Sequence, residues 1–198
     1  MRNPALYLLI LISIFLSACI PANISEQEKS LLITENDLGQ FLGEGSTNLA
    51  GKYSKTLYEH RSKEIEYEFD PEQTDTSVLF LSHTITFDAI LSEAKDDYIL
   101  FIAAYNVGGK MSSSDVTYVQ LNNTQKYGDQ SYIAIIKKDD NEIGNVLVVR
   151  RANTIHSLIF SGVYFDDTDY LFKFVSSKFM EADKYNQNII SDLKNLTS

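Results

Sequence analysis

The chain of 198 residues has one cysteine, no tryptophan, three prolines and nine glycines. A single thiol excludes a disulfide framework and any zinc site built on cysteine pairs. So little proline and glycine excludes a fibrous or linker-dominated protein. Positive charge is scarce too: 17 Lys+Arg stand against 27 Asp+Glu, a net charge of −10. Nonspecific binding of nucleic acid, which needs Lys and Arg to neutralise phosphates, is thereby excluded. The same deficit argues against an electrostatic hold on anionic lipid. The apolar run from Ala5 to Leu16 is about 12 residues long, against about 20 needed to span a bilayer. What is present is ordinary for a globular protein of about one domain, with 44% hydrophobic and 22% charged residues. The one compositional oddity is an abundance of Tyr (12) and Phe (11).

The N-terminus carries the most specific pattern. A basic start with Arg2, a short apolar core and the small residues Ser17 and Ala18 describe a secretory signal. The tetrad Leu16-Ser17-Ala18-Cys19 resembles a bacterial lipobox. That resemblance implies cleavage after Ala18, a diacylglyceryl group on the Cys19 sulfur and acylation of the new amino end. Several acyl chains, at about 0.8 kcal/mol per buried CH₂, anchor a protein stably. Ile20 follows the cysteine, where an inner-membrane lipoprotein of a Gram-negative cell commonly has Asp. The resemblance therefore implies the outer membrane with the domain facing the periplasm, or the cell surface in a single-membrane bacterium. The expected organisation is a signal peptide over 1–18, a lipidated cysteine with a short polar tether over 19–30, and one globular domain over 31–198.

Periodicity outlines that domain. Leu31, Leu32, Leu38, Phe41 and Leu42 predict a first helix, capped by Thr34 or Asn36 and stopped at Gly43-Glu44-Gly45. Tyr53–Tyr58 reads as a strand. Glu64 to Phe69 alternates carboxylates with apolar side chains, a half-buried strand with a wet face that Pro71 ends. Ser77 to Ile85 is a more buried strand. Phe87, Leu91, Ala94, Tyr98, Phe101 and Tyr105, widened by Ile90 and Ile102, predict an amphipathic helix over about 87–107 that Gly108-Gly109 stops. Strands follow at 116–121, 132–137, 145–151 and 154–163, with turns at Asp139-Asp140-Asn141-Glu142 and Ala152-Asn153. A final helix opens near Asp167 or Thr168, with Leu171, Phe174, Val175 and Phe179 on its apolar face. It ends near Tyr185 or continues through Leu193.

The expected class is α+β: an antiparallel sheet flanked by helices in a single domain. Two short motifs sharpen this. Gly128-Asp129-Gln130-Ser131 precedes a strand hairpin, and Arg150-Arg151-Ala152-Asn153 leads into the last strand and helix. Their order and distance resemble the PsbP-type sandwich, over residues 31–185. The resemblance implies binding and accessory roles more than catalysis, and it supplies no ligand or catalytic residue.

Reactive constellations are few. His60, His83 and His156 lack metal-ligand spacing, and structural or surface roles are expected for them. No Gly-x-Ser-x-Gly elbow accompanies the serines, and Ser112-Ser113-Ser114 reads as a linker. Gly108-Gly109-Lys110 fails as a phosphate loop because it follows a helix and lacks the earlier glycine. Asp139 to Gly144 fails as a calcium loop, with Ile143 where an oxygen ligand belongs. Asp166, Asp167 and Asp169 read as helix capping. No metal and no cofactor is expected.

The leading expectation is a noncatalytic, membrane-anchored envelope lipoprotein whose domain binds another envelope protein. The alternative is a carrier or sensor of a small apolar or lipid ligand, in a pocket lined by Tyr98, Phe101 and Tyr105. An envelope hydrolase ranks last.

Overall fold

The structure is a computed structural model that describes residues 19–43, 51–58, 62–70, 79–111, 116–122 and 127–197. In chain order the elements are β1 (Cys19–Pro21), α1 (Glu26–Leu31), α2 (Glu35–Leu42), β2 (Lys52–Tyr58), β3 (Lys63–Phe69), β4 (Phe80–Phe87), α3 (Leu91–Met111), β5 (Val116–Gln120), β6 (Gln130–Lys138), β7 (Asn141–Arg151), β8 (Thr154–Ser161) and α4 (Thr168–Thr197). The strands form one 8-stranded antiparallel sheet in the order β1-β2-β3-β4-β8-β7-β6-β5. The α+β class is as expected.

Side chains of a strand alternate between faces, so one sheet builds two cores. Ile65, Tyr67, Leu81, Ile85, Leu147, Leu158 and Phe160 point to the first face. There they pack beneath Leu38 of α2 and Leu171, Val175 and Phe179 of α4. Tyr132, Ala134, Val146, Val148 and Ile155 point to the second face, beneath Ala94 and Tyr98 of α3. Each such large side chain, removed from water, contributes about 1.5–3 kcal/mol. The second cluster draws its strand residues from β5 to β8. On β2, β3 and β4 the same face carries Ser54, Thr56, Glu64, Glu66, Ser82 and Thr84, by the strand register. Helix α3 therefore lies along one half of the second face, and a polar half-sheet flanks it.

Several expectations need correction. Residues 20–30 are not a tether: Ile20 and Pro21 pair with Leu57 and Thr56 in β1, and Ser25 opens α1. The cause is a capping box, with Ser25 accepting from the Glu28 N–H while the Glu28 carboxylate accepts from the Ser25 N–H. The single helix expected from Leu31 is therefore two short ones. Thr34 caps the second, and Gly43 closes it in the left-handed conformation at φ 78°. Phe87 belongs to β4 rather than α3 and packs on Tyr185. Helix α3 runs through Gly108 and Gly109 to Met111, since a helical glycine costs about 1 kcal/mol but does not forbid the turn. Ile90 and Leu91, assigned above to the stripe that packs inward, are 53% and 44% exposed.

Other expectations hold. The β6–β7 hairpin turns on Asp139 and Asp140, both at positive φ, a two-residue loop whose twist suits the flanking strands. Asp167 caps α4 by accepting from the Asp169 N–H at 2.8 Å, and the helix continues past Tyr185 to Thr197. The lipobox residues Leu16, Ser17 and Ala18, together with His60, Pro71 and Ser112 to Ser114, lie outside the described residues.

The register gives the sheet two distinguishable ends. At one of them β1 and β3 begin, β2 and β4 finish, β7 finishes and β8 begins. Cys19, Tyr58, Lys63, Phe87, Arg151 and Thr154 stand at that end, called the Cys19 end below.

Candidate binding clefts at the Cys19 end

Two cavities open there, one on each face. The first, about 400 Å³, lies between the β7–β8 turn and α4, lined among others by Asp129, Arg151, Asn153, Thr154, Asp183 and Asn186. It is made by the two motif turns, which fold onto each other. The Arg150 guanidinium donates to Asp129 at 3.0 Å and to Gln130 at 2.6 Å. The same Asp129 carboxylate accepts from the Ala152 N–H at 2.8 Å. That bond steadies Ala152 at φ 50°, a conformation an alanine rarely adopts. Arg151 pairs with Asp183 of α4 at 2.6 Å, and Asn186 donates to the Thr154 hydroxyl at 2.9 Å. The motif residues are thus spent largely on one another, tying the turns to α4.

The second cavity, about 330 Å³, sits on the opposite face where the polar half-sheet meets the first turns of α3. Tyr58, Ser62, Glu64 and Thr86 line it from the strand side, and Glu93, Asp97 and Phe101 from α3. Its acids repel one another. Burial, then the charges of Asp97 and Glu93, pushes Asp88 up to about 7. Glu64 is raised by burial and by Glu66, and Asp97 by burial and by Glu93 and Asp96. Asp88 and Thr86 are 4% and 3% exposed. Neither Asp88 oxygen nor the Thr86 hydroxyl forms a hydrogen bond of normal geometry.

The expected lining residues stay together on α3, with Phe101 and Tyr105 packed against the second core that holds Tyr98. Tyr98 is buried in the second core, and Tyr105 shares a 2.7 Å hydrogen bond with Ser157 beneath α3. Phe101 also lines the acidic cavity, which Tyr98 and Tyr105 do not line. Sequence reading missed Glu93, Asp97 and Asp88, which look like ordinary solvated charges on a helix start. The one available signal is Glu64, on the wet face of its strand.

The histidines pair in the first core. The Ile33 N–H donates to His83 Nδ1 at 2.8 Å, and His83 Nε2 faces His156 Nδ1 at 3.4 Å. His156 stacks on Phe179 with ring centres 3.9 Å apart. Both rings are fully buried, and burial holds both neutral: His83 is pulled down to about 3, and His156 also falls well below its ordinary value. Glu28 is buried between Lys55 and Lys63 at 2.9 and 3.0 Å. Burial alone would raise its pKa; the Ser25 N–H and the two ammoniums outweigh that and hold it at about 2. Among the described residues, no group of three or more His, Cys, Asp or Glu side chains is placed to hold a metal ion. No described helix is long and apolar enough to cross a membrane.

Comparison of the chain with protein-family models, with curated proteins and with solved structures finds no match.

Proposed function

We propose that the chain is a lipid-anchored protein of the bacterial envelope, held by Cys19 in the outer membrane and facing the periplasm. Its single domain, read as a PsbP-type sandwich, binds another envelope protein without catalysing a reaction. One observation supports this reading most: Cys19 opens β1 at the end of the sheet where both cavities lie. A lipid on that residue, with no tether behind it, would hold those cavities close to the membrane and to whatever is anchored beside them. Anchoring of that kind raises the effective concentration of a neighbouring partner. The interlocked turns at Asp129 and Arg150 support the sandwich reading, since both motifs serve one structural junction.

Metabolic labelling with an alkyne fatty acid tests the anchor. The wild-type protein is expected to carry the label and to sediment with membranes, and Cys19→Ala to lose both. A photo-crosslinker at Asn153, in the first cavity, tests the partner. One reproducible adduct in intact cells is the expected result, and a diffuse smear of adducts would remove the protein-binding reading.

The carrier reading keeps support from the second cavity, in altered form. The acidic lining beside Phe101 suits a polar, positively charged ligand rather than an apolar one.

A further inference from the structure

We propose that the acidic cavity between β2–β4 and α3 binds a primary ammonium group, carried by a soluble di- or polyamine or by the ethanolamine headgroup of a membrane lipid. The carboxyl groups of Glu64, Glu93 and Asp97 line it from two elements. The ion pairs among the described residues all lie elsewhere, so no described Lys or Arg neutralises these three acids. Thr86 lines the same cavity at 3% exposure, its hydroxyl near the Glu64 carboxyl group yet without a hydrogen bond of normal geometry. Asp88, at 4% exposure, stands behind the lining next to Ser62 and Asp97, and neither of its oxygens has a hydrogen bond of normal geometry. Buried polar atoms left in that state cost about 1–3 kcal/mol each, and native proteins keep few of them. An ammonium has three donors and no acceptor, the complement of this lining.

The raised values of Asp88, Glu64 and Asp97 come first from burial and then from like charge, the part that an incoming cation cancels. Tyr58 and Phe101 also line the cavity, and an aromatic ring attracts a cation placed over its face. A metal ion fits less well, because no three acids among the described residues are placed together to hold one. A volume of about 330 Å³ suits a small chain or a headgroup. The headgroup source rests on the anchored reading given above, through the pairing of Cys19 with Tyr58 at the cavity's edge. The soluble source is independent of it.

For the test, the full chain is returned to nanodiscs of phosphatidylcholine, with or without phosphatidylethanolamine, and titrated calorimetrically with putrescine. Saturable binding in phosphatidylcholine discs, weakened roughly tenfold or more in Asp97→Asn and Glu64→Gln, is expected for the site. Putrescine binding that persists when phosphatidylethanolamine is added assigns a soluble amine. Binding that is suppressed by that lipid, in the wild type only, assigns the headgroup. Glu142→Gln, on the distant hairpin beside Lys137, leaves the titration unchanged. Both cavity variants keep or raise the melting temperature without amine, because each removes one of a set of repelling charges; lost binding therefore reports the site and not the fold. Absence of saturable binding in either disc, or equal affinity in wild type and both cavity variants, overturns the proposal. Failure of Cys19 to take up fatty acid defeats the anchored reading and withdraws the headgroup source alone.

Discussion

Acid sensitivity should report directly on the buried histidine pair. Ile33 donates to His83 Nδ1, so the neutral ring carries its proton on Nε2 and donates to His156 Nδ1. His156 in turn carries its proton on Nε2, an atom that has no partner. In the unfolded chain each imidazole titrates near its ordinary value of about 6.5. In the folded chain His83 stays neutral down to about 3. Between those values the unfolded state binds the extra proton, so this contribution is complete above about pH 6.5 and is lost as pH falls toward 3. From pH 7 to pH 5 the loss for His83 is about 2 kcal/mol, and His156, also kept neutral by burial, acts in the same direction. Against a total stability of about 5–15 kcal/mol, that is a large share. The variant His83→Asn isolates the effect, since the Asn Oδ1 takes the place of Nδ1 as acceptor for the Ile33 N–H. Urea unfolding at pH 7 and pH 5 should show the variant less stable at pH 7 by about 2–3 kcal/mol, from lost ring volume. The fall between the two pH values should be smaller than in the wild type by about 2 kcal/mol. An equal fall in both proteins would refute the placement of His83 as a neutral ring in the core.

Three further outcomes follow from the same structure. Glu28→Gln leaves Lys55 and Lys63 facing a neutral group and should cost about 3 kcal/mol in urea unfolding at pH 7, with a smaller cost in Lys55→Met/Glu28→Gln. Gly144→Ala drives a methyl group to 2.0 Å from the Phe160 carbonyl oxygen, so the sheet must shift; a drop in melting temperature of roughly 4 °C or more is expected, and none would place β7 and β8 in another register. Asp88 is held up near 7 by burial and by neighbouring acids, so it costs stability as pH rises from its unfolded value toward 7 and above. Asp88→Asn should therefore melt roughly 2–4 °C higher than wild type at pH 8, with the advantage fading below pH 5; calorimetric scans at both pH values decide it.

How much of this was readable from the residues varied by element. Glu64 to Phe69 showed its strand and its two faces, because a period of 2 needs only local alternation. Thr34 and Asp167 showed their caps for the same local reason. Ser25-x-x-Glu28 is equally local, but the polar residues around it carry no apolar periodicity and read as a tether. The α3 boundaries failed at both ends. Phe87 fell by chance on a helical spacing, and two glycines count against a helix without forbidding it.

The amino-acid sequence alone determined the α+β class, the antiparallel strands with their hairpins, the capped helices and the lipobox-like tetrad ending in Cys19, for each is written in spacing over a few residues. Tertiary structure decided the rest. Glu28 of α1 meets Lys55 and Lys63 because β2 and β3 pair side by side, and His83 meets His156 across 73 residues because the sheet order sets β4 beside β8. Glu93 and Asp97 become part of an acidic cavity with Asp88 buried beside it, rather than a solvated helix start, only because α3 turns back across the face that carries Glu64 and Thr86. Charge and hydrogen bonding depend on distance and on exclusion of water, and neither is set until distant strands pair.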